Sequence, residues 1–268
     1  MKFSLLMSVY HKDSPGAFKE ALDSLVNSVV SPDEVVVVED GPLGNELQSV
    51  ISLFSNKLPV KNVKLASNVG LGKALSIGLR ECSHEWVARF DSDDICHPAR
   101  FQTQVAFIQQ NEYIDIIGTA IAEFEFDQVD VHAYRKPPIN HDEIVEYAKS
   151  RNPFNHMTVM YRKSKVLEAG NYQDNYLYED YALWVRMINN GAVTANIPDV
   201  LVYARTGNGM EIRRGGIKYA KSEILAQLGF YQIGFINKRQ FYTNLLLRVP
   251  VRLVPGGIRK LIYRNFLR

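Results

Sequence analysis

Cysteine is nearly absent: Cys82 and Cys96 are the only two in 268 residues. That leaves no disulfide framework, and two reduced thiols in a cytosolic protein are the simplest account. No Cys/His cluster has ligand spacing, which argues against a structural zinc site. No segment approaches the roughly 20 consecutive apolar residues that cross a bilayer as a helix. The first ten residues look faintly like a leader, but their apolar run is short and no small-residue cleavage site precedes His11-Lys12-Asp13, so a first core strand is expected there. Two phosphate-binding patterns are also missing. No Gly-x-Gly-x-x-Gly follows that strand. Gly70-Leu71-Gly72-Lys73-Ala74 imitates part of a P-loop, yet Ser67 occupies the earlier glycine position and Ala74 follows the lysine where Ser or Thr belongs. A bound nucleoside would be held some other way. Internal repeats, low-complexity stretches and an obvious linker are likewise lacking.

Acidic residues stop at Glu223. Beyond it stand Lys238, Arg239, Arg248, Arg252, Arg259, Lys260, Arg264 and Arg268, so this tail carries +8 in a chain of net charge +2 and the remainder carries −6. The tail also holds aromatic and branched residues from Phe241 to Leu267. A basic, aromatic, apolar tail reads as a membrane-surface element. The competing readings are a C-terminal helix packed on its own domain and, less favoured by the amphipathic pattern, nucleic-acid binding.

What is present is an alternation of strands and helices. An apolar fraction of 46% suffices for a sizeable core. Residues 3–10, 34–38, 63–66 and 85–90 read as strands, and 15–30, 43–56, 70–82 and 98–111 as helices. Ser14 and Pro15 suit the cap and first position of the first helix. The Val35–Val38 run is continuously apolar, as a parallel strand covered on both faces would be. This order predicts a doubly wound, mainly parallel sheet. The second half is less regular: one or two strands over 114–126, a helix over 141–150, a strand over 157–161, helices over 164–169 and 181–190, and short strands over 192–197 and 200–204.

Ligands of such sheets bind at the carboxyl ends of the strands, and polar clusters fall at those ends. Tyr10-His11 follows the first strand, Glu39-Asp40-Gly41 the second, Ser67-Asn68 the third and Asp91-Ser92-Asp93-Asp94 the fourth. Three crowded carboxylates repel one another and suit a hard divalent cation, which takes oxygen ligands; the plain alternative is a solvated acidic turn. Arg89, just before the cluster, can balance it as an ion pair. Asp40, at the tip of the second strand, can accept from a base N–H or simply form the turn. Lys73 can approach a diphosphate or be a solvated helix lysine. Glu179-Asp180, ahead of the 181–190 helix, is favoured there by the helix dipole alone; as a general base, a carboxylate in that place would take a proton from an acceptor hydroxyl.

These pieces, in this order, resemble glycosyltransferase family 2, the inverting, nucleotide-sugar-dependent enzymes of the GT-A fold. The residues carrying the resemblance are Ser8-Val9-Tyr10, Val37-Val38-Glu39-Asp40-Gly41, Asn68-Val69-Gly70-Leu71-Gly72-Lys73-Ala74, Asp91-Ser92-Asp93-Asp94 with Pro98, Arg100 and Phe101, and Glu179-Asp180-Tyr181-Ala182-Leu183-Trp184. It covers about residues 3–215 and is strongest toward bacterial enzymes building O-antigen or capsular polysaccharide. The resemblance implies a nucleotide-sugar half at about 1–112, an acceptor half at 113–215, and a separate helical region at 216–268. Asp40 would contact the base, usually uracil, in a pocket lined by Ser8 and Tyr10. Asn68, Gly70, Lys73 and Ser92 would contribute to the donor site. Asp91 and Asp93 would hold Mn2+ or Mg2+ on the diphosphate. Asp180 would be the catalytic base with Glu179 beside it, Trp184 would pack behind it, and Asn155 and His156 would meet acceptor or donor sugar. Many members carry a histidine after the late strand; residues 203–210 contain none, and Arg213 or Arg214 is the expected replacement at the diphosphate. The implied reaction moves a hexose from a UDP-sugar to a saccharide on polyprenyl diphosphate with a β-linkage, at the inner face of the cytoplasmic membrane, where the basic tail would dock and nucleic acid plays no part. A nucleotidyltransferase or a sugar- or nucleotide-binding module of related fold is the alternative; the former would need a glycine-rich loop where residues 8–13 have no glycine.

Overall fold

A computed structural model describes residues 1–207 and 215–254. Its centre is one nine-stranded sheet. The first half builds β1 (Phe3–Val9), α1 (Pro15–Val26), β2 (Glu34–Glu39), α2 (Asn45–Phe54), β3 (Val60–Lys64), α3 (Leu71–Glu81) and β4 (Trp86–Arg89). β3, β2, β1 and β4 lie side by side and parallel. The covering helices explain the unbroken apolar runs: α1 and α2 pack Phe18, Leu22, Leu25, Leu47, Ile51 and Phe54 on one face, while α3 packs Ala74, Leu75 and Leu79 on the other. Ser14 caps α1 by accepting from the Ala17 N–H, with Pro15 in the first turn.

The second half continues the sheet with β5 (Ile95–Cys96), α4 (Arg100–Gln110), β6 (Ile116–Phe124), β7 (Val131–Arg135), α5 (His141–Ala148), a short 3-10 helix (His156–Thr158), β8 (Met160–Arg162), α6 (Lys163–Glu168), α7 (Glu179–Asn189) and β9 (Thr194–Arg205). β8 runs antiparallel between β4 and β6, and β9 runs parallel to β6. Of the two alternatives for 114–126, the structure has one strand, and its hairpin partner β7 lies in a stretch that gives little apolar signal because every second residue is exposed. Other expectations are corrected. The strands expected over 192–197 and 200–204 are one strand: Pro198 and Asp199 bulge outward between Ile197, opposite Thr119, and Val200, opposite Ala120. β5 is only two residues long, formed because β9 offers it an edge at Val202 and Tyr203. β3 begins at Val60, three residues before the expected strand, because an edge strand shows less apolar periodicity.

Two further helices, α8 (Ile217–Gln232) and α9 (Lys238–Leu253), form a hairpin against α7. Asn237 caps α9 in a reciprocal capping box with Gln240. Two of the tail's cations turn inward: Arg248 and Arg252 both pair with Glu223, which is fully buried. The packed-helix reading therefore describes this part of the tail. Lys238 and Arg239 stay exposed, and Arg259, Lys260, Arg264 and Arg268 lie outside the described residues, as do Arg213 and Arg214. No helix among the described residues is long and apolar enough to cross a membrane.

Candidate active site

The site forms where the carboxyl ends of β1, β2 and β4 meet the first turns of α3 and α7. Asp91-Ser92-Asp93-Asp94 leaves β4 as a turn rather than a solvated loop: Ser92 and Asp94 are buried. Three groups hold it. Arg205, at the end of β9, donates its backbone N–H to Asp94 Oδ1 at 2.8 Å and its Nε–H to the Asp93 carbonyl at 2.9 Å. Asp13 accepts from Ser92 Oγ at 2.9 Å and from the Tyr10 N–H at 3.1 Å, tying the turn to the end of β1. Arg100, fully buried, donates to the Arg89 carbonyl at 2.8 Å.

Arg89 is the hub. Its side chain is 1% exposed and ion-pairs with Asp91. Its charge also reaches Glu179 and Asp180 on α7 and His156, so one buried guanidinium acts electrostatically on both acidic pairs, which lie 88 residues apart in sequence (Asp91 to Glu179). The carboxyls remain crowded even so. Burial, then Asp91 and Asp13, push Asp93 up to about 6. Burial, then Asp91 and Asp93, hold Asp94 well above the ordinary carboxylate range, and Asp94 Oδ2 is buried without a hydrogen-bond partner. Burial and the neighbouring Asp180 push Glu179 up to about 7. Burial raises Asp180 as well, partly offset by the Tyr181 N–H at 2.6 Å and by Asn152 Nδ2, which donates to Oδ2 at 2.6 Å. A base whose proton affinity is raised toward neutrality is suited to taking a proton from a hydroxyl.

The other expected residues fall around this centre or behind it. Ser8 and Tyr10 are half-buried at the end of β1. Asp40 is buried, and its carboxylate accepts from the Val69 and Gly70 N–H groups at 2.7 and 3.1 Å, while Asn68 Nδ2 donates to its carbonyl at 3.2 Å. In this structure Asp40 therefore builds the turn into α3, and any base N–H would share its remaining lone pairs. Gly41, at φ +87, permits that turn: a Cβ there would sit 2.6 Å from the Asn68 nitrogen. Lys73 pairs with Asp174 at 2.8 Å, both largely exposed. Gly72 lets α3 approach α7, since a Cβ would lie 2.5 Å from the Gln173 carbonyl oxygen and 3.1 Å from Glu179 Cβ.

On the acceptor side the geometry separates the expected residues. Asn155 is 1% exposed and donates to the Thr119 and Arg135 carbonyls at 2.8 and 3.3 Å; it braces the sheet, where a sugar contact was expected. His156 is half-buried, with Nε2 3.0 Å from the Tyr172 hydroxyl and burial pushing its pKa well below the ordinary value, so the ring is neutral. Trp184, fully buried one turn beyond Asp180, meets the rings of Phe154, His156, Tyr161 and Tyr172 at centroid distances of 5.8 to 6.3 Å. These rings enclose Trp184 in an aromatic cluster of the core. Asp13 and Asn152 were not singled out by sequence reasoning; Gly72 was part of a quoted motif and Arg205 began the 205–216 stretch expected over the diphosphate, but neither the contact of Gly72 with α7 nor the clamp from Arg205 to the acidic turn was foreseen. Asp13 had a signal in the polar end of the first strand; the contacts of Asn152 and Arg205 act across 28 and more than 100 residues of chain and had none.

A mostly parallel sheet carrying an acidic turn at a strand end, opposed by a carboxylate pair on a central helix, is the GT-A glycosyltransferase fold. A UDP-GlcNAc complex of S. aureus TarS residues 1–349 superposes with a TM-score of 0.73 over all of this chain and 76% of that one, at 18% identity. The sequence profile for Glycosyl transferase family 2 matches residues 4–170, and the chain belongs to that family. It is 43% identical over 267 residues to the UDP-Gal:alpha-D-GlcNAc-diphosphoundecaprenol beta-1,3-galactosyltransferase of Escherichia coli, covering 100% of this chain and 97% of that one. It is 39% identical over 266 residues to the amylovoran biosynthesis glycosyltransferase AmsE of Erwinia amylovora, covering 98% of each.

Proposed function

We propose that this glycosyltransferase moves a hexose from a UDP-sugar to a saccharide carried on polyprenyl diphosphate, inverting the anomeric centre so that an α-linked donor yields a β-linkage. The observation that carries this reading is the meeting of the acidic turn and Glu179-Asp180 around Arg89. One cluster suits a leaving diphosphate; the other suits an incoming hydroxyl. The nucleoside lies toward Ser8, Tyr10 and Asp40, and the diphosphate toward Asn68, Gly70, Lys73, Ser92 and the expected Arg213. Asp180 takes the acceptor proton as the new C–O bond forms and the bond to the diphosphate breaks. Glu179 orients the acceptor, with His156 and Trp184 shaping the wall behind it.

A divalent cation, Mn2+ or Mg2+, fits the turn. Among the described residues no three His, Cys, Asp or Glu side chains already form a metal cage, but a cation that keeps its ligands among water and phosphates needs only one or two carboxylates. Asp93 and Asp91 offer hard oxygens whose crowding a cation would relieve. Bound there, it would neutralise charge developing on the departing diphosphate. The substrate named for the Escherichia coli relative supports a UDP-hexose, and the exposed Lys238 and Arg239 together with the basic composition of residues 255–268 support a peripheral site on the inner face of the cytoplasmic membrane.

The test is UDP release with UDP-Gal, UDP-Glc and UDP-GlcNAc in turn, each with Mn2+ and a GlcNAc-diphosphate-lipid acceptor. Acceptor-dependent release with one donor, and a β-linked product by NMR, is expected. Release from none of the three, or an α-linked product, would refute the proposal.

A further inference from the structure

Glu223 is the last acidic residue of the chain and is 0% exposed. A buried carboxylate is costly unless paired and hydrogen-bonded, and this one is surrounded. Arg248 Nε lies 2.7 Å from Oε1 and Arg252 Nη2 lies 3.0 Å from Oε2. The Tyr178 hydroxyl donates to the same carboxylate. Tyr178 is the residue immediately before Glu179-Asp180, and its carbonyl accepts from the Ala182 N–H at 2.8 Å, inside the first turn of α7. Leu177, one residue earlier, sits at φ +61. A non-glycine residue in the left-handed region is strained and persists only where its surroundings over-determine it. The Tyr178 anchor supplies that restraint.

A second arm reaches the base from the other side. Asn244 Nδ2, on α9, donates to the Lys149 carbonyl and to Gln227 Oε1, both at 2.8 Å. Arg248 donates to the Ser150 carbonyl. Tyr181 ties its hydroxyl to the Ala148 carbonyl at 2.7 Å. The 148–150 carbonyls lead directly to Asn152, whose amide holds Asp180. The end of α9 also accepts, at the Arg252 carbonyl, from the Gly216 N–H at 2.8 Å.

We propose that the C-terminal helical hairpin is the mount of the catalytic base: Glu223 through Tyr178, and Asn244 through residues 149–152, are positioning residues for Asp180. This rests on the reading of Asp180 as the base. The groups acting on that carboxyl are Asn152, the Tyr181 N–H and phenol, neighbouring Glu179, Arg89 from β4, Arg135 from β7 and Tyr172. The two arms control the first of these and the helix turn that presents the second. Asn152 lowers the proton affinity of Asp180, so a loosened Asn152 raises it.

The experiment uses the full chain with Tyr178→Phe, Asn244→Ala and Asp180→Asn. Tyr178→Phe keeps the ring packing and removes only the hydroxyl; Glu223→Gln is a harsher fourth variant, because it strands two buried arginines. UDP titration calorimetry reports the folded, donor-competent fraction. For Tyr178→Phe and Asn244→Ala we expect wild-type UDP stoichiometry and donor KM, a kcat about tenfold lower, and an acid limb of the kcat–pH profile moved up by about one pH unit. With Asp180→Asn inactive, unchanged kcat and an unmoved limb would overturn the positioning role. A loss of kcat matched by an equal loss of UDP stoichiometry, with the limb unmoved, would also overturn it, since that is stability alone. Activity in Asp180→Asn would overturn the base assignment, and this inference with it.

Discussion

Replacing Gly72 by alanine should uncouple activity from stability. The substitution is mild by local measures: Gly72 lies in α3, where alanine is preferred over glycine by about 1 kcal/mol. The obstacle is tertiary. The new Cβ would sit 2.5 Å from the Gln173 carbonyl oxygen and 3.1 Å from Glu179 Cβ. Ordinary contact begins at 3.4 Å, so the carbonyl must retreat by about 0.9 Å, the difference between the two. Forcing extra volume into a packed contact costs about 1–3 kcal/mol. Set against the helix gain, the net destabilisation is about 0–2 kcal/mol, a fall in Tm of no more than about 8 °C at this chain length. The 173–179 segment carries that displacement to the base, and misplacement by about 1 Å can cost about 100-fold in rate. We expect kcat 10- to 100-fold lower in a UDP-release assay, with a small Tm change by scanning calorimetry. Gly229→Ala is the control: it lies in α8 with nothing within 4 Å of its Cβ, and should leave kcat unchanged while Tm holds or rises. Wild-type kcat in Gly72→Ala would refute the idea that α3 and Glu179 are held at contact distance.

Asp180→Asn keeps the shape and the Asn152 neighbour while removing the base; kcat should fall by at least about 100-fold with UDP affinity by calorimetry largely retained. Asp93 has a pKa of about 6 against an ordinary 3.8. A raised acid favours the fold only while protonated, so the metal-free protein should lose stability as pH rises through the window from about 4 to 6, by up to about 3 kcal/mol before solvent screening. Glu179, at about 7, extends the same trend toward neutrality. Added Mn2+ should raise Tm more at pH 7.5 than at pH 5, and Asp93→Asn should raise the metal-free Tm at pH 7.5 while abolishing the Mn2+ increment; a Tm that climbs from pH 5 to 7.5 without metal would contradict the crowding. Truncation after Val254 spares the ion pairs of Glu223 with Arg248 and Arg252, so it should fold normally yet lower membrane recovery on cell fractionation. Unchanged recovery would show that residues 255–268 do not dock the protein.

The parallel half of the sheet was legible in the chain because its strands are covered on both faces. A continuous apolar run such as Val35–Val38 is the direct consequence of that burial, and polar residues then collect where the strands emerge. The acidic turn was visible for the same reason, whereas Glu179-Asp180 stood out as an acidic pair at a helix start. Less legible were β5, β7 and the union of β9. A two-residue strand has no period, a half-exposed hairpin strand has a weak one, and the Pro198–Asp199 bulge looks like a break until β6 pairs on both sides of it.

Local periodicity and residue chemistry were enough to establish the doubly wound core, the order of the polar strand ends and the kinds of acid placed there. Packing across the fold brought the charge of Arg89 to both acidic pairs, clamped the turn with Asp13 and Arg205, turned Asn155 inward, and set Arg248 and Arg252 on Glu223. Each of these is a contact across tens to hundreds of residues whose strength comes from burial. A charge in sequence carries no sign of whether water or another charge will surround it; the packing of α8 and α9 on α7 settled that for Arg248 and Arg252.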